Sequence, residues 1–150
     1  MKRALCTVMV MLLMFGAMPV CGNASEYHTE TIYFEDGSYL VVEMLPSCAR
    51  VTGSLTGSKP STFYNSDGEA QWKVTLTGSF TYTGTTSACS SSSVSVTIYD
   101  SSWYVVSKSS GKSGNTATAS VTMGRKSLGV TVQKVPVSLS LSCDASGNLS

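Results

Sequence analysis

The sequence predicts an all-β protein, a single antiparallel β-sandwich of eight or nine strands that follows an export signal. Three observations carry this. Residues 69–83 alternate almost without error: Ala70, Trp72, Val74, Leu76, Gly78, Phe80 and Tyr82 share one parity, while Gln71, Lys73, Thr75, Thr77, Ser79 and Thr81 share the other. A period of two places the first set on one face of a sheet and the second in water. Short β-forming runs recur along the chain between Gly, Ser, Asn and Asp turn signals, and helical periodicity is absent after residue 25.

The first 24 residues read as a signal peptide. Lys2 and Arg3 form a positive n-region, residues 4–17 an apolar run, and Gly22 and Ala24 put small residues at the positions a signal peptidase reads. Cleavage after Ala24 starts the mature chain at Ser25; a second acceptable site follows Gly22. Cys21 is preceded by Met18, Pro19 and Val20, a poor match to a lipidation signal. The apolar run is shorter than the ~20 residues a membrane span needs and ends at Pro19, so the mature chain is expected to carry no span. Residues 25–150 then form one domain with a core of its own.

The elements follow in order. Thr31–Phe34 and Tyr39–Met44 flank Glu35, Asp36, Gly37 and Ser38, and Asp-Gly between β-formers signals a hairpin. Residues 45–58, with Pro46, Gly53 and Gly57, are looser and hold at most a short strand over 50–56. Thr62–Tyr64 leads through an Asn65–Gly68 turn into the long alternating strand. Gly78 near its middle predicts a bend by which the strand serves both layers. Strands are expected at Ser93–Tyr99, with Val94, Val96 and Ile98 inward, and at Trp103–Ser107 after a turn at Asp100–Ser102. Ser110–Asn115 reads as a loop. Thr116–Met123 is the next strand, and a turn lies between Gly124 and Gly129. In the last strand, Val130–Cys143, the apolar parity slips from even (Val130, Val132) to odd (Val135, Val137, Leu139, Leu141), which predicts a bulge near Gln133 and Lys134. Pro136 cannot donate to a ladder and assigns that segment to an edge or a bulge.

Without residues 1–24 the chain keeps eight bases and nine acids, a formal charge of −1, which leaves no electrostatic case for nucleic acid. About a third of the mature residues are Ser or Thr, the composition of a neutral, hydroxyl-rich sheet surface. Cys48, Cys89 and Cys143 remain, with no C-x-x-C pair and hence no ordinary zinc or thioredoxin-like site. Cys89 opens one strand and Cys143 closes the last, so a Cys89–Cys143 disulfide is expected if those strands are neighbours, with Cys48 left over.

The catalytic inventory is poor. His28 is the only histidine, which disfavours a Ser/His/Asp triad or a multi-histidine metal site; no cofactor and no metal are expected. Ser109 and Lys112 match S-x-x-K spacing, and Lys112, Ser113 and Gly114 imitate a K-T-G element, but both use Lys112. Asn65, Asp67 and Glu69 resemble a fragment of a calcium loop without its later ligands. Glu35 and Asp36 are adjacent, so on a strand they point to opposite faces, which disfavours them as paired carboxylates across a sugar. The binding candidates are Trp103 and Tyr104: being adjacent, one of the two rings faces out, and an exposed ring can stack on a sugar.

The run Tyr64, Asn65, Ser66, Asp67, Gly68, Glu69, Ala70, Gln71, Trp72, Lys73, Val74, Thr75, Leu76, Thr77, Gly78, with Phe80, Tyr82 and Gly84, resembles small secreted proteins of uncharacterised function from anaerobic Gram-positive bacteria. Ile98–Trp103 and Leu141–Asp144 are similar too. The resemblance implies bacterial export and a β-rich fold and carries over no active residue. The expected function is therefore that of a secreted, non-enzymatic protein that binds or coats at the cell exterior, its partner a surface glycan, peptidoglycan or another protein. The alternatives are a small carboxylate-dependent hydrolase or hydrolase inhibitor, and a self-assembling matrix subunit.

Overall fold

The computed structural model describes residues 28–44 and 52–150. The signal peptide, the Ser25 start, Cys21 and Cys48 lie outside the described residues. Among these the chain forms eight strands and no helix: β1 (His28–Tyr33), β2 (Tyr39–Met44), β3 (Gly53–Tyr64), β4 (Ala70–Tyr82), β5 (Ser87–Ile98), β6 (Trp103–Ser113), β7 (Thr116–Ser127) and β8 (Val130–Ser142). Every pairing is antiparallel. The strands make two meanders, a five-stranded sheet in the order β1-β2-β3-β4-β5 and a three-stranded sheet in the order β6-β7-β8.

Turn chemistry sets the first registers. Asp36 Oδ1 accepts from Ser38 N at 3.0 Å, and Gly37 takes a φ of +81°, a conformation glycine adopts without strain. Phe34 N then donates to Ser38 O at 2.9 Å, which closes the β1–β2 hairpin. The next turn is built the same way: Asn65 Oδ1 accepts from Asp67 N and Glu69 N, and Asn65 Nδ2 donates to Glu69 Oε2 at 3.0 Å. Of the calcium-loop fragment, Asn65 and Glu69 are thus bonded side chain to side chain, and Asp67 joins through its N–H.

β3 is one strand of 12 residues through Pro60, where the sequence predicts an interruption. The alternation of an antiparallel ladder explains this. With Phe34–Ser38 a hydrogen-bonded pair, Leu40 points its N–H and C=O at β1, so Tyr39 and Val41 point theirs at β3. Their partners Tyr64 and Thr62 therefore face β2, as does the imide of Pro60 two residues on. The β2–β3 pairing stops at Val42–Ser61, so the proline removes no ladder bond.

β4 does not pass between layers. It pairs with β3 and β5 along its whole length. Gly78 instead marks a close approach of the two sheets, since a Cβ there would lie 2.7 Å from the Phe80 ring and 2.9 Å from the Ala117 Cβ. The expected loop at Ser110–Asn115 is also mostly strand, because β6 pairs with β7 through Ser113–Thr116 and only Gly114 and Asn115 turn. β7 likewise continues to Ser127, leaving Leu128 and Gly129 as a two-residue turn. The parity slip in β8 is a register shift, with Arg125 opposite Gln133 and Lys126 opposite Thr131, so Val132 is the extra residue. Pro136 lies on β8, an edge strand.

One buried cluster joins the sheets. Trp72 stacks face to face on Phe63, with centroids 5.0 Å apart and planes 3° apart, and Trp103 of the other sheet meets both rings edge-on at 5.9 and 5.2 Å. Val74, Leu76 and Phe80 from β4 meet Ala117, Val121 and Met123 from β7 and Val137 and Leu141 from β8 in the same core.

Cys89 and Cys143 are buried free thiols, and the expected bridge is absent. Its premise fails, because β5 and β8 belong to different sheets. Each sulfur instead donates to a carbonyl, Cys89 to Ser91 O at 3.2 Å and Cys143 to Asp144 O at 3.4 Å. Burial pushes the Cys143 thiol pKa up, and the neighbouring Asp144 charge adds to that shift.

Candidate functional site

The period of two separates the two aromatic candidates. Trp103 is 4% exposed and its ring belongs to the core. Tyr104 points the other way, onto the outer face of the three-stranded sheet, opposite Gly124. Its ring closes over that glycine together with Val106: a Cβ at position 124 would come within 2.7 Å of the Tyr104 Cζ and 2.8 Å of the Val106 Cγ2. The hydroxyl is fixed by Thr131 Oγ1 at 2.6 Å, and the Lys126 ammonium stands 4.6 Å from the ring centroid. Tyr104 is half-buried, and the exposed part of its ring offers an apolar surface on which a ligand face can stack. The Lys126 side chain is held over the ring, and a solvated cation–π contact of this kind is worth about 0.5–1 kcal/mol.

The same face continues from Tyr104 as rows of hydroxyls. Register places Ser109, Ser120 and Ser138 side by side on β6, β7 and β8, and Gly111, Thr118 and Ser140 side by side in the next row. These six residues line a shallow trough of about 480 Å³ that carries no charged side chain. Thr118 Oγ1 donates to Gly111 O at 3.2 Å and so fixes one hydroxyl of the row. Each hydroxyl both donates and accepts, so such a surface matches a partner that presents hydroxyls rather than one that presents charge.

The other sequence candidates do not assemble. Ser109 faces the trough, whereas Lys112, three residues on and therefore of opposite parity, donates its Nζ to Ser90 O on β5. Asp36 is held by the Ser38 hydroxyl and N–H, which lower its carboxyl pKa, with Gln133 Nε2 at 3.4 Å. A carboxyl so stabilised as the anion is poorly suited to donate a proton near neutral pH. His28 is exposed on β1. Among the described residues no three His, Cys, Asp or Glu side chains converge as a metal site. A cleft of about 80 Å³ at the turn end, bordered by Asp36, Gln71, Arg125 and Gln133, has room for a few waters and not for a sugar ring.

Sequence reasoning missed a ladder of three tyrosines on the outer face of the five-stranded sheet. Tyr33, Tyr39 and Tyr64 are cross-strand neighbours, with centroids 5.7 Å apart across the first pair and 5.0 Å across the second. The Tyr39 and Tyr64 planes are 14° apart, so these rings spend their faces on each other and show water their edges. The available signal was position: Tyr33 and Tyr39 flank one turn symmetrically, and Tyr64 precedes the next.

No family model matches the chain, and no curated protein matches it. Among solved structures, a hypothetical protein from Listeria monocytogenes is similar at 15% sequence identity and a TM-score of 0.43, the likeness covering 85% of this chain and 94% of that one.

Proposed function

We propose that the chain is a secreted bacterial β-sandwich protein that binds a neutral glycan at the cell exterior and does not turn it over. The binding surface is the outer face of the three-stranded sheet, with Tyr104 as the stacking ring and the Ser109, Ser120 and Ser138 row as hydrogen-bonding partners. The observation that carries this reading is that Tyr104, over Gly124, shares the outer face of the three-stranded sheet with an uncharged trough lined by Ser109, Ser120 and Ser138. A sugar ring has an apolar face and a hydroxyl rim, and this surface offers a counterpart to each. The export signal in residues 1–24 supports the location.

The test is titration of the mature chain with soluble neutral cell-wall polysaccharide. Tyr104→Ala should weaken binding at least about tenfold, the ~1.4 kcal/mol of one lost stacking contact. Ser138→Lys, which puts a charged side chain into the trough, should do the same. Binding unchanged by both substitutions removes this face from consideration. Release of reducing ends that disappears in Glu35→Gln or Glu69→Gln would make the protein a hydrolase.

A further inference from the structure

An unpaired sheet edge is a template for another strand, and proteins blunt such edges with proline, lysine, bulges or a covering segment. Three of the four edges here are blunted. Beside β5 stand β6 and the turn after it: Cys89 N donates to Gly114 O at 2.8 Å, Ser110 Oγ to Ser92 O at 3.4 Å and Lys112 Nζ to Ser90 O. β6, the facing edge, also carries a register shift at Val105–Ser107. β8 carries Pro136, Lys134 and the Val132 bulge, and its end is paired by the last residues, with Ser142 and Ser150 exchanging backbone bonds of 2.9 and 3.0 Å.

Among the described residues β1 has no proline, lysine, bulge or covering segment, and the charge on its inner face is Glu30, opposite the buried Val42. Its six residues pair with β2 in unbroken register, and every one of them is exposed. The hairpin fixes which of its groups are unpaired. Because Phe34–Ser38 is a bonded pair, Ile32–Leu40, Glu30–Val42 and His28–Met44 are the other bonded pairs. The N–H and C=O groups of Thr29, Thr31 and Tyr33 therefore point away from β2. Large side chains stand exposed on both faces of this strand, Ile32 at 43% and Tyr33 at 75%.

We propose that two copies of the chain associate through β1, antiparallel about a two-fold axis at Thr31. This interface lies on the five-stranded sheet and is independent of the glycan surface. The occupant is a second copy because the strand is complementary to itself in that register. Thr31 faces Thr31 of the other copy and Thr29 faces Tyr33, so all six free backbone groups of each strand find partners. Glu30 falls opposite Ile32 and no charge falls directly opposite its like, whereas a shift that centres the axis on Glu30 would oppose two carboxylates. Thr29 covers the ring face of Tyr33 turned away from Tyr39, so the tyrosine ladder gains a neighbour at its open end. The two five-stranded sheets become one of ten strands, closed by an isologous contact.

The experiment is sedimentation velocity of the mature chain under reducing conditions over a concentration series, with Thr31→Pro beside it. The N–H of Thr31 points outward, so proline there costs the β1–β2 ladder no bond and blocks the new pairing. Wild type is expected to move from monomer to dimer as concentration rises, while Thr31→Pro stays monomeric with an unchanged near-ultraviolet circular dichroism spectrum. Register is read separately by oxidising one introduced cysteine at a time in a Cys48→Ser background, where the remaining thiols, Cys89 and Cys143, are buried. Thr31→Cys should form a covalent dimer, since facing residues lie about 5.5 Å apart. Thr29→Cys should not, being four residues out of register. A wild type that is monomeric throughout, a Thr31→Pro variant that dimerises as wild type does, or equal cross-linking at positions 29 and 31 overturns the proposal.

Discussion

Trp72→Ala tests the packing argument most directly. Trp72 is fully buried, stacked on Phe63 and met edge-on by Trp103, so it touches both sheets at once. Truncating a large buried aromatic side chain to alanine costs about 3–5 kcal/mol, through lost transfer energy and the cavity left behind. With a urea dependence of about 2 kcal/mol/M for a domain of this size, the unfolding midpoint should fall by roughly 2 M. Lys73 is next in sequence, but its side chain sits on the outer face between Thr62 and Thr97. Lys73→Ala should stay within about 0.5 kcal/mol of wild type. Should Trp72→Ala not fold, Trp72→Phe serves. It keeps a ring on Phe63 and deletes the indole N–H, which is buried without a partner, so its cost should be smaller, under about 1.5 kcal/mol. Equal midpoints for the alanine variants at 72 and 73 would refute the assignment of these residues to opposite faces.

Two further outcomes follow from the titrating groups. Asp36, Asp100 and Asp144 are each held below the ordinary value of 3.8, chiefly by the Ser38 side chain, the Ser102 backbone N–H and the Asn148 side chain respectively. Because the folded values are depressed, their stabilisation is complete above the unfolded value and is lost as pH falls through the folded ones. The melting temperature should therefore begin to drop near pH 4, and Asn at all three positions should flatten that drop; an identical acid profile in the triple variant would contradict it. Cys89 and Cys143 should resist alkylation in the folded chain and both react on unfolding without reductant, as read by peptide mass. A cross-linked Cys89–Cys143 peptide would overturn the free-thiol state.

Much of the fold was legible because alternation survives in the strands that face the core. β4 shows it from Trp72 onward, while Gln71, expected in water, is buried and accepts from Trp103 Nε1 at 3.3 Å, and the slip in β8 located a bulge within two residues of Val132. The break expected between residues 56 and 62 is absent because the imide of Pro60 faces β2 beyond the point where that pairing stops. Gly78 misleads because a side chain there is excluded by the Phe80 ring and by the Ala117 Cβ of the other sheet. Ser110–Ser113 has loop composition, yet it is the end of a strand whose outer face past the bulge is small: Ser107, Ser109, Gly111 and Ser113. The candidate site was half legible. That one of Trp103 and Tyr104 faces out follows from parity, whereas the close approach of the ring needs Gly124 on the next strand, and the tyrosine ladder needs the registers of three strands at once.

The meander order of both sheets bears on how the chain reaches its native state. Among the described residues every strand hydrogen-bonds to the strand before or after it in sequence, so each hairpin can close as soon as both its arms are free. Loop closure within a hairpin takes microseconds or less. The step that must wait is the docking of β6–β8 onto the finished five-stranded sheet, where Trp103 meets Phe63 and Trp72. Residues inside hairpins make their contacts first, whereas residues such as Trp103 and Ala117, which bring one sheet against the other, make theirs only when the sheets dock.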